Sequence, residues 1–147
     1  MPFMILDDDE PLAVPRHWNA MLTSQPAVLY VENNVLLSRL VSDLLDLAGW
    51  HVRRAESGTI AQMFLRHEQR FALLLVDNEL SDTTGLAVVT YARTLAHRAS
   101  VPIILFSLED CEREAKKAGA NEFLRKPHDL FLLIEIARRL IAAGDKK

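Results

Sequence analysis

Five polar residues stand out in a chain that is half hydrophobic, because they stand at the ends of its short apolar runs. Glu32 and Asn33 follow Ala27-Val-Leu-Tyr-Val31. Asp77 ends Phe71-Ala-Leu-Leu-Leu-Val-Asp77. Ser107 follows Pro102-Ile-Ile-Leu-Phe106, and Lys126 stands just past Glu122-Phe-Leu124 and before Pro127. A short apolar run bounded by turn signals reads as a strand buried on both faces. In an open α/β sheet, ligands and chemistry sit just beyond the carboxyl ends of such strands. At that place a carboxylate has the chemistry of a nucleophile, an ammonium neutralises an anion, and a hydroxyl hydrogen-bonds to it. Each residue alone has a plainer reading; Asp77, for one, suits a turn start or a helix cap. Their common position makes them a set.

The elements needed to bring them together are legible in order. After the run at 27–31, Leu36, Leu37, Leu40, Val41, Leu44, Leu45 and Leu47 recur at helical spacing up to Ala48, with Gly49 as the C-terminal cap. Trp50 to Ala55 reads as a strand, and Ser57 caps a helix to about Glu68. The Asp77 strand follows. A helix is expected from Gly85 to about His97, with Leu86, Val89 and Ala92 or Arg93 on one face. The strand ending at Ser107 leads to a charged helix, Glu109 to Ala118, closed by Gly119. A brief strand at 122–124 and an amphipathic helix over 128–143 complete the order. Five βα units imply a parallel sheet with helices on both faces. Right-handed crossovers put all the carboxyl ends on one edge.

Length and charge narrow the function. A chain of 147 residues is one domain with room for a core. Asp7, Asp8, Asp9 and Glu10 against Arg16 account for the whole net charge of −3, so the body is neutral and carries no signature of nucleic-acid binding. Cys111 is the only cysteine, no apolar run reaches membrane-spanning length, and the start is acidic; the expected setting is cytoplasmic. Residues 1–26, with Pro11, Pro15, Pro26 and Trp18, read as an N-terminal extension, partly ordered at best. The domain is expected over 27–143 and a tail over 144–147. Asp7-Asp-Asp-Glu10 imitates a strand-end acidic pair but fails on spacing. Asp8 to Asp77 is 69 residues, too long for the passage between the first and third strands, whereas Asn33 to Asp77 is 44. The five histidines have no metal spacing, and no glycine follows the first strand to cradle a nucleotide phosphate.

The pattern resembles the receiver domain of bacterial two-component response regulators over 27 to about 143. The residues that carry the resemblance are Glu32-Asn33, Asp77, Gly85 eight residues on, Ser107, Phe123 and Lys126-Pro127. The resemblance implies a flavodoxin-like, doubly wound five-stranded parallel sheet of strand order 2-1-3-4-5. It implies a phosphoacceptor at Asp77, with Lys126 and Ser107 holding phosphoryl oxygens and Ser107 and Phe123 as switch residues. It implies Mg²⁺ at Glu32, Asn33, Asp77 and the backbone carbonyl of Glu79. The donor would be a sensor histidine kinase or phosphotransfer protein, and the output contact with a downstream protein, without direct nucleic-acid or membrane binding. Beyond self-phosphorylation and self-dephosphorylation, no enzyme activity is implied.

Several positions depart from the pattern. Asn33 stands where a second acidic ligand is usual, removing one negative charge from a site for a hard cation. Glu79 is either a compensating carboxylate or a solvated loop residue. Leu108 follows Ser107 where a small residue is usual, Glu109 comes next with a charge that would repel a phosphoryl group, and Ser81 replaces the usual loop proline. Ser107 to Lys126 is short by roughly one helical turn. Two other readings therefore stay open. One is a degenerate receiver that binds proteins without phosphate, favoured by Asn33 and Leu108. The other is a small hydrolase or phosphatase with Asp77 as nucleophile and only Glu32 and Glu79 as acid or base, which turnover of a generic phosphate ester would reveal.

Overall fold

The structure, a computed structural model, describes residues 25–145. The expected extension, but for its last two residues, and the last two residues of the expected tail lie outside them. Among the described residues are strands β1 Ala27–Val31, β2 His51–Ala55, β3 Leu73–Asp77, β4 Ile103–Ser107 and β5 Glu122–Arg125. The helices between and after them are α1 Val35–Leu47, α2 Gly58–Arg66, α3 Gly85–Thr94, α4 Glu112–Ala118 and α5 Leu133–Asp145. All pairings are parallel and the strand order is β2-β1-β3-β4-β5, as expected.

Alternation along the strands builds two cores. Leu29, Val31, Leu74, Val76, Ile103 and Leu105 point to one face and meet Ala61 and Leu65 of α2, Val88, Val89 and Ala92 of α3, and Ala115 of α4. Val28, Tyr30, Leu73, Leu75, Ile104 and Phe106 point to the other, against Val41 and Leu45 of α1 and Leu133, Ala137 and Ile141 of α5. Both faces of β3 and β4 are thus covered, which is why their sequences are continuously apolar. On α1 only part of the leucine pattern turns inward; Leu36, Leu40 and Leu47 are exposed.

Local chemistry sets the helix starts. Asn34, Ser57 and Thr84 each accept a hydrogen bond from a backbone N–H three residues on, the geometry of an N-cap. Gly49 ends the α1 turn with φ +94°, a conformation that glycine adopts without penalty.

Three boundaries differ from the sequence expectation. The fourth helix begins at Glu112 rather than Glu109, because Cys111, at φ −124° and ψ 36°, lies outside the helical conformation; ahead of it the Leu108 and Glu109 N–H groups donate to the Glu79 carboxylate and Ser107 Oγ. The third ends at Thr94 rather than near His97. There a 3₁₀ turn, Ala96–Arg98, carries buried Arg98 to the carbonyls of Phe64, Leu65 and His67 at the end of α2. The segment from 128 opens with a 3₁₀ turn, Leu130–Leu132, before α5, and Asp129 Oδ2 accepts from Arg125 N at 2.9 Å at its start.

Gly85 holds the loop after β3 against the strand end. A Cβ there would lie 2.7 Å from Asn78 Cα and 2.8 Å from the Asp77 carbonyl carbon. Both are backbone atoms with no freedom to step aside. Gly85→Ala is expected to destabilise the domain by about 1–3 kcal/mol, the usual cost of overpacking, read from the midpoint of urea unfolding. An unchanged midpoint would mean that the loop does not depend on this close approach.

Candidate functional site

The register of the sheet assembles the site. Val31 pairs with Val76, Asp77 with Phe106, and Ser107 with Arg125. One step further along each strand, Glu32 lies beside Asp77 and Lys126 comes just past Ser107. Two bonds continue the ladder there: Glu32 N to Ala55 O at 3.0 Å and Lys126 N to Ser107 O at 2.9 Å. Alternation from Tyr30 to Glu32 and from Leu75 to Asp77 turns both carboxylates to the α1/α5 face. Ser107, two beyond Leu105, turns to the other.

Lys126 Nζ is the common partner. It contacts Asp77 Oδ1 and lies 3.5 Å from Glu32 Oε1 and 3.7 Å from Glu79 Oε1. Glu32 and Asp77 are 2% and 1% exposed, so the charges meet with little water between them. Asp77 Oδ2 is buried and meets no donor. The Glu32 carboxylate accepts from Tyr30 Oη and Asn34 N, both at 3.4 Å.

Burial, then the adjacent Asp77 carboxylate through a shared proton and like charge, raises the Glu32 carboxyl from its ordinary 4.5 to about 7; Lys126 and the Asn34 N–H pull it down. For the Lys126 ammonium, burial acts downward, but Asp77, Glu32 and Glu79 outweigh it and the group is held above its usual range. Burial and the charge of Glu32 also push the Tyr30 phenol far above its ordinary value.

The structure brings Glu32, Asp77, Ser107, Glu79 and Lys126 to one cleft. Asn33 is next to it but exposed, and Phe123 is half-buried, packed against the α2–α4 core. The Glu79 side chain turns toward Ser107 while remaining 35% exposed. Its Oε2 accepts from Ser107 Oγ at 2.6 Å and its Oε1 from Leu108 N at 2.9 Å. Leu108 turns its side chain outward, 58% exposed.

Asp77 and Glu32 suit a hard cation, being oxygen donors with one buried oxygen unpartnered. Among the described residues, however, no three side chains of His, Cys, Asp or Glu converge in a metal-binding group. Any further ligand must be an amide, a carbonyl or water. Two supporting residues lay outside the sequence reading. Tyr30 was hidden within an apolar strand, although its spacing of two from Glu32 puts both on one face. Asn78, whose Oδ1 accepts from Leu86 N at 3.0 Å, fixes the start of α3 beneath the cleft.

Fold and cleft define a flavodoxin-like α/β domain with an acidic site at the carboxyl edge of its sheet. The profile of the response regulator receiver domain matches residues 28–138, and the chain belongs to that family. The polar-differentiation response regulator DivK of Brucella anthropi is 28% identical over 112 residues, covering 74% of this chain and 90% of that protein. The chemotaxis response regulator CheY4 of Vibrio cholerae superposes with a TM-score of 0.73 at 26% identity, over 80% of this chain and 99% of that one. The receiver domain of the sensor histidine kinase PA1611 of Pseudomonas aeruginosa PAO1, whose structure has a magnesium ion coordinated in its active-site cleft, matches equally well: TM-score 0.73, 26% identity, 81% and 99% coverage. The chain is thus a receiver of two-component signalling, a signalling module. No helix among the described residues is long and apolar enough to cross a membrane.

The raised Glu32 makes stability depend on pH in a definite direction. Between pH 4.5 and about 7 the folded state keeps a proton that the unfolded state has released. Stability from this group therefore falls as pH rises through that window, and the penalty is complete above it. At its full extent it is of the order of 2–3 kcal/mol. In chelator-containing buffer, Glu32→Gln should raise the melting temperature at pH 8 and change it little at pH 4.5. A lower melting temperature at pH 8 would mean that the Lys126 pairing outweighs burial.

Proposed function

We propose that the chain accepts a phosphoryl group on Asp77 and signals through protein contacts. The observation that carries this is the Asp77 carboxylate, buried at the strand end with one oxygen against Lys126 Nζ and the other without a donor. In the transfer, an Asp77 oxygen forms a bond to phosphorus as the P–N bond to a donor imidazole breaks; the electron pair stays on the ring nitrogen, which is protonated from water. The barrier to such a transfer is lowered by positioning and charge neutralisation more than by covalent help. Lys126 neutralises a phosphoryl oxygen and Ser107 donates a hydrogen bond to another. Because Ser107 turns to the face where Phe123 packs, its movement is the natural input to a switch at Phe123.

Mg²⁺ belongs to this reading, held by Asp77 and Glu32 with the Asn33 amide and the Glu79 backbone carbonyl. When bound it would offset negative charge between acceptor and phosphoryl oxygens. The donor is a sensor histidine kinase or phosphotransfer protein in the cytoplasm, and the target is a further protein. Val35 and Leu36, 71% and 81% exposed at the mouth of the site, are the kind of apolar surface that a protein donor covers.

Incubation with acetyl phosphate and Mg²⁺, read by intact mass, should add one phosphoryl group to the wild type and none to Asp77→Asn. Addition to Asp77→Asn would place the acceptor elsewhere. No addition to either would favour a phosphate-independent binding module, the reading to which Asn33 points. Asn33→Asp should tighten Mg²⁺ about tenfold, or roughly 1.4 kcal/mol, by restoring one ligand charge without a change of size. Equal affinity of the two proteins, by titration calorimetry, would remove Asn33 from the site.

A further inference from the structure

Three donors from the ends of two strands converge on one carboxylate. Ser107 Oγ–H reaches Glu79 Oε2 at 2.6 Å, Leu108 N–H reaches Oε1 at 2.9 Å, and Lys126 Nζ stands 3.7 Å from Oε1. A hydroxyl, a backbone amide and an ammonium form a pocket for an anion with at least two oxygens. The same Lys126 Nζ touches Asp77. A phosphoryl group on Asp77 that reached for Ser107 and Lys126 would therefore enter the space that the Glu79 carboxylate fills. With Asp77 phosphorylated, the Glu32 and Glu79 carboxylates still flank the one ammonium, and a dianionic phosphoryl group there is repelled by both.

The backbone of Glu79 is fixed while its side chain is not enclosed. Asn78 N donates to Phe106 O at 2.7 Å, Gly85 N donates to Asn78 O at 3.0 Å, and Glu79 bridges to Thr84 across the loop. Its side chain, however, is 35% exposed, so rotation about its own bonds takes the carboxylate into water without moving the loop. Leu108 faces outward and leaves that path to Glu79.

We infer that Glu79 is a resident stand-in for the phosphoryl group: its carboxylate fills the anion pocket of Ser107, Leu108 and Lys126 and must leave before Asp77 can be phosphorylated. This rests on the phosphoacceptor reading of Asp77 and adds a regulatory residue to it. Two consequences follow from the one contact. Phosphorylation is slowed, because the donors must be freed first. Ser107 is meanwhile drawn to an anion before any phosphate arrives, so the difference between the two states at this residue is reduced.

The test uses the full chain as wild type, Glu79→Ala and Glu79→Gln, with acetyl phosphate and Mg²⁺ followed by intact mass. Both variants should be phosphorylated at least tenfold faster than the wild type, since both remove the charge. A residue that only braced the loop would leave the rate unchanged or lower it. Independently of any covalent step, inorganic phosphate is titrated while the Leu108 amide resonance is followed. It should shift at millimolar phosphate in Glu79→Ala and stay fixed in the wild type. Phosphorylation of all three proteins at rates within twofold would overturn the inference and leave the phosphoacceptor reading intact. Phosphate binding gained at Leu108 with no phosphoryl group on any protein would uphold the occupied pocket and overturn the phosphoacceptor reading. Neither rate gain nor phosphate binding would overturn the stand-in.

Discussion

The site depends on one ammonium group. Lys126 Nζ, on a side chain only 10% exposed, is the counter-charge to Asp77, Glu32 and Glu79. Two of those carboxylates are almost wholly buried, and an uncompensated buried carboxylate is among the most costly groups a fold can hold. One cation does not balance three anions. The imbalance is visible at Glu32, whose carboxyl is raised to about 7, by burial first and then by the neighbouring Asp77 carboxylate. The cleft is a place of stored electrostatic repulsion, held together by the strands beneath it.

Those strands make the arrangement possible. Parallel pairing lines up the ends of β1 and β3, and the two-residue period turns Glu32 and Asp77 to the same side. The apolar segments behind them, Tyr30 to Val28 and Leu75 to Leu73, are buried between α1 and α5. Their burial favours folding by far more than one carboxylate pair opposes it. Gly85 then lets the loop after β3 fold back within van der Waals range of the strand end, which brings Glu79 over Ser107. Packing thus supplies the free energy, and charge is placed where packing ends.

How much of this was legible in the sequence follows from which forces were local. Strand order and core were legible, since apolar runs at 27–31, 71–77 and 102–106 and caps such as Ser57 and Gly49 report burial and backbone conformation residue by residue. The meeting of Glu32, Asp77, Ser107 and Lys126 was legible too, because all four stand at strand ends and topology alone gathers them. The direction of the Glu79 side chain was not. A Glu in a loop has the same sequence signature whether it faces water or a hydroxyl 28 residues away. The late start of α4 was not legible either, since nothing in the residue type of Cys111 announces its non-helical backbone. On α1, helical spacing revealed a helix but could not say which leucines the sheet would cover; Val41 and Leu45 are buried, Leu36 and Leu40 are not.

The departures from the family pattern are coupled through charge. A second acidic residue at position 33, with Glu32 and Asp77, would make three carboxylates against Lys126. Here Asn33 removes one and Glu79 supplies one, so the total around the ammonium is kept while its location changes. The charge has moved from the side where a cation would bind to the side where a phosphoryl group would bind. On the phosphoacceptor reading proposed above, a weaker cation site and a contested anion pocket would act in the same direction on Asp77, both raising the barrier to phosphoryl transfer. Neither disturbs the fold, because Asn33 is exposed and the Glu79 side chain is partly so. Such a redistribution changes how readily a receiver responds while leaving the sheet, the helices and their surfaces as they are.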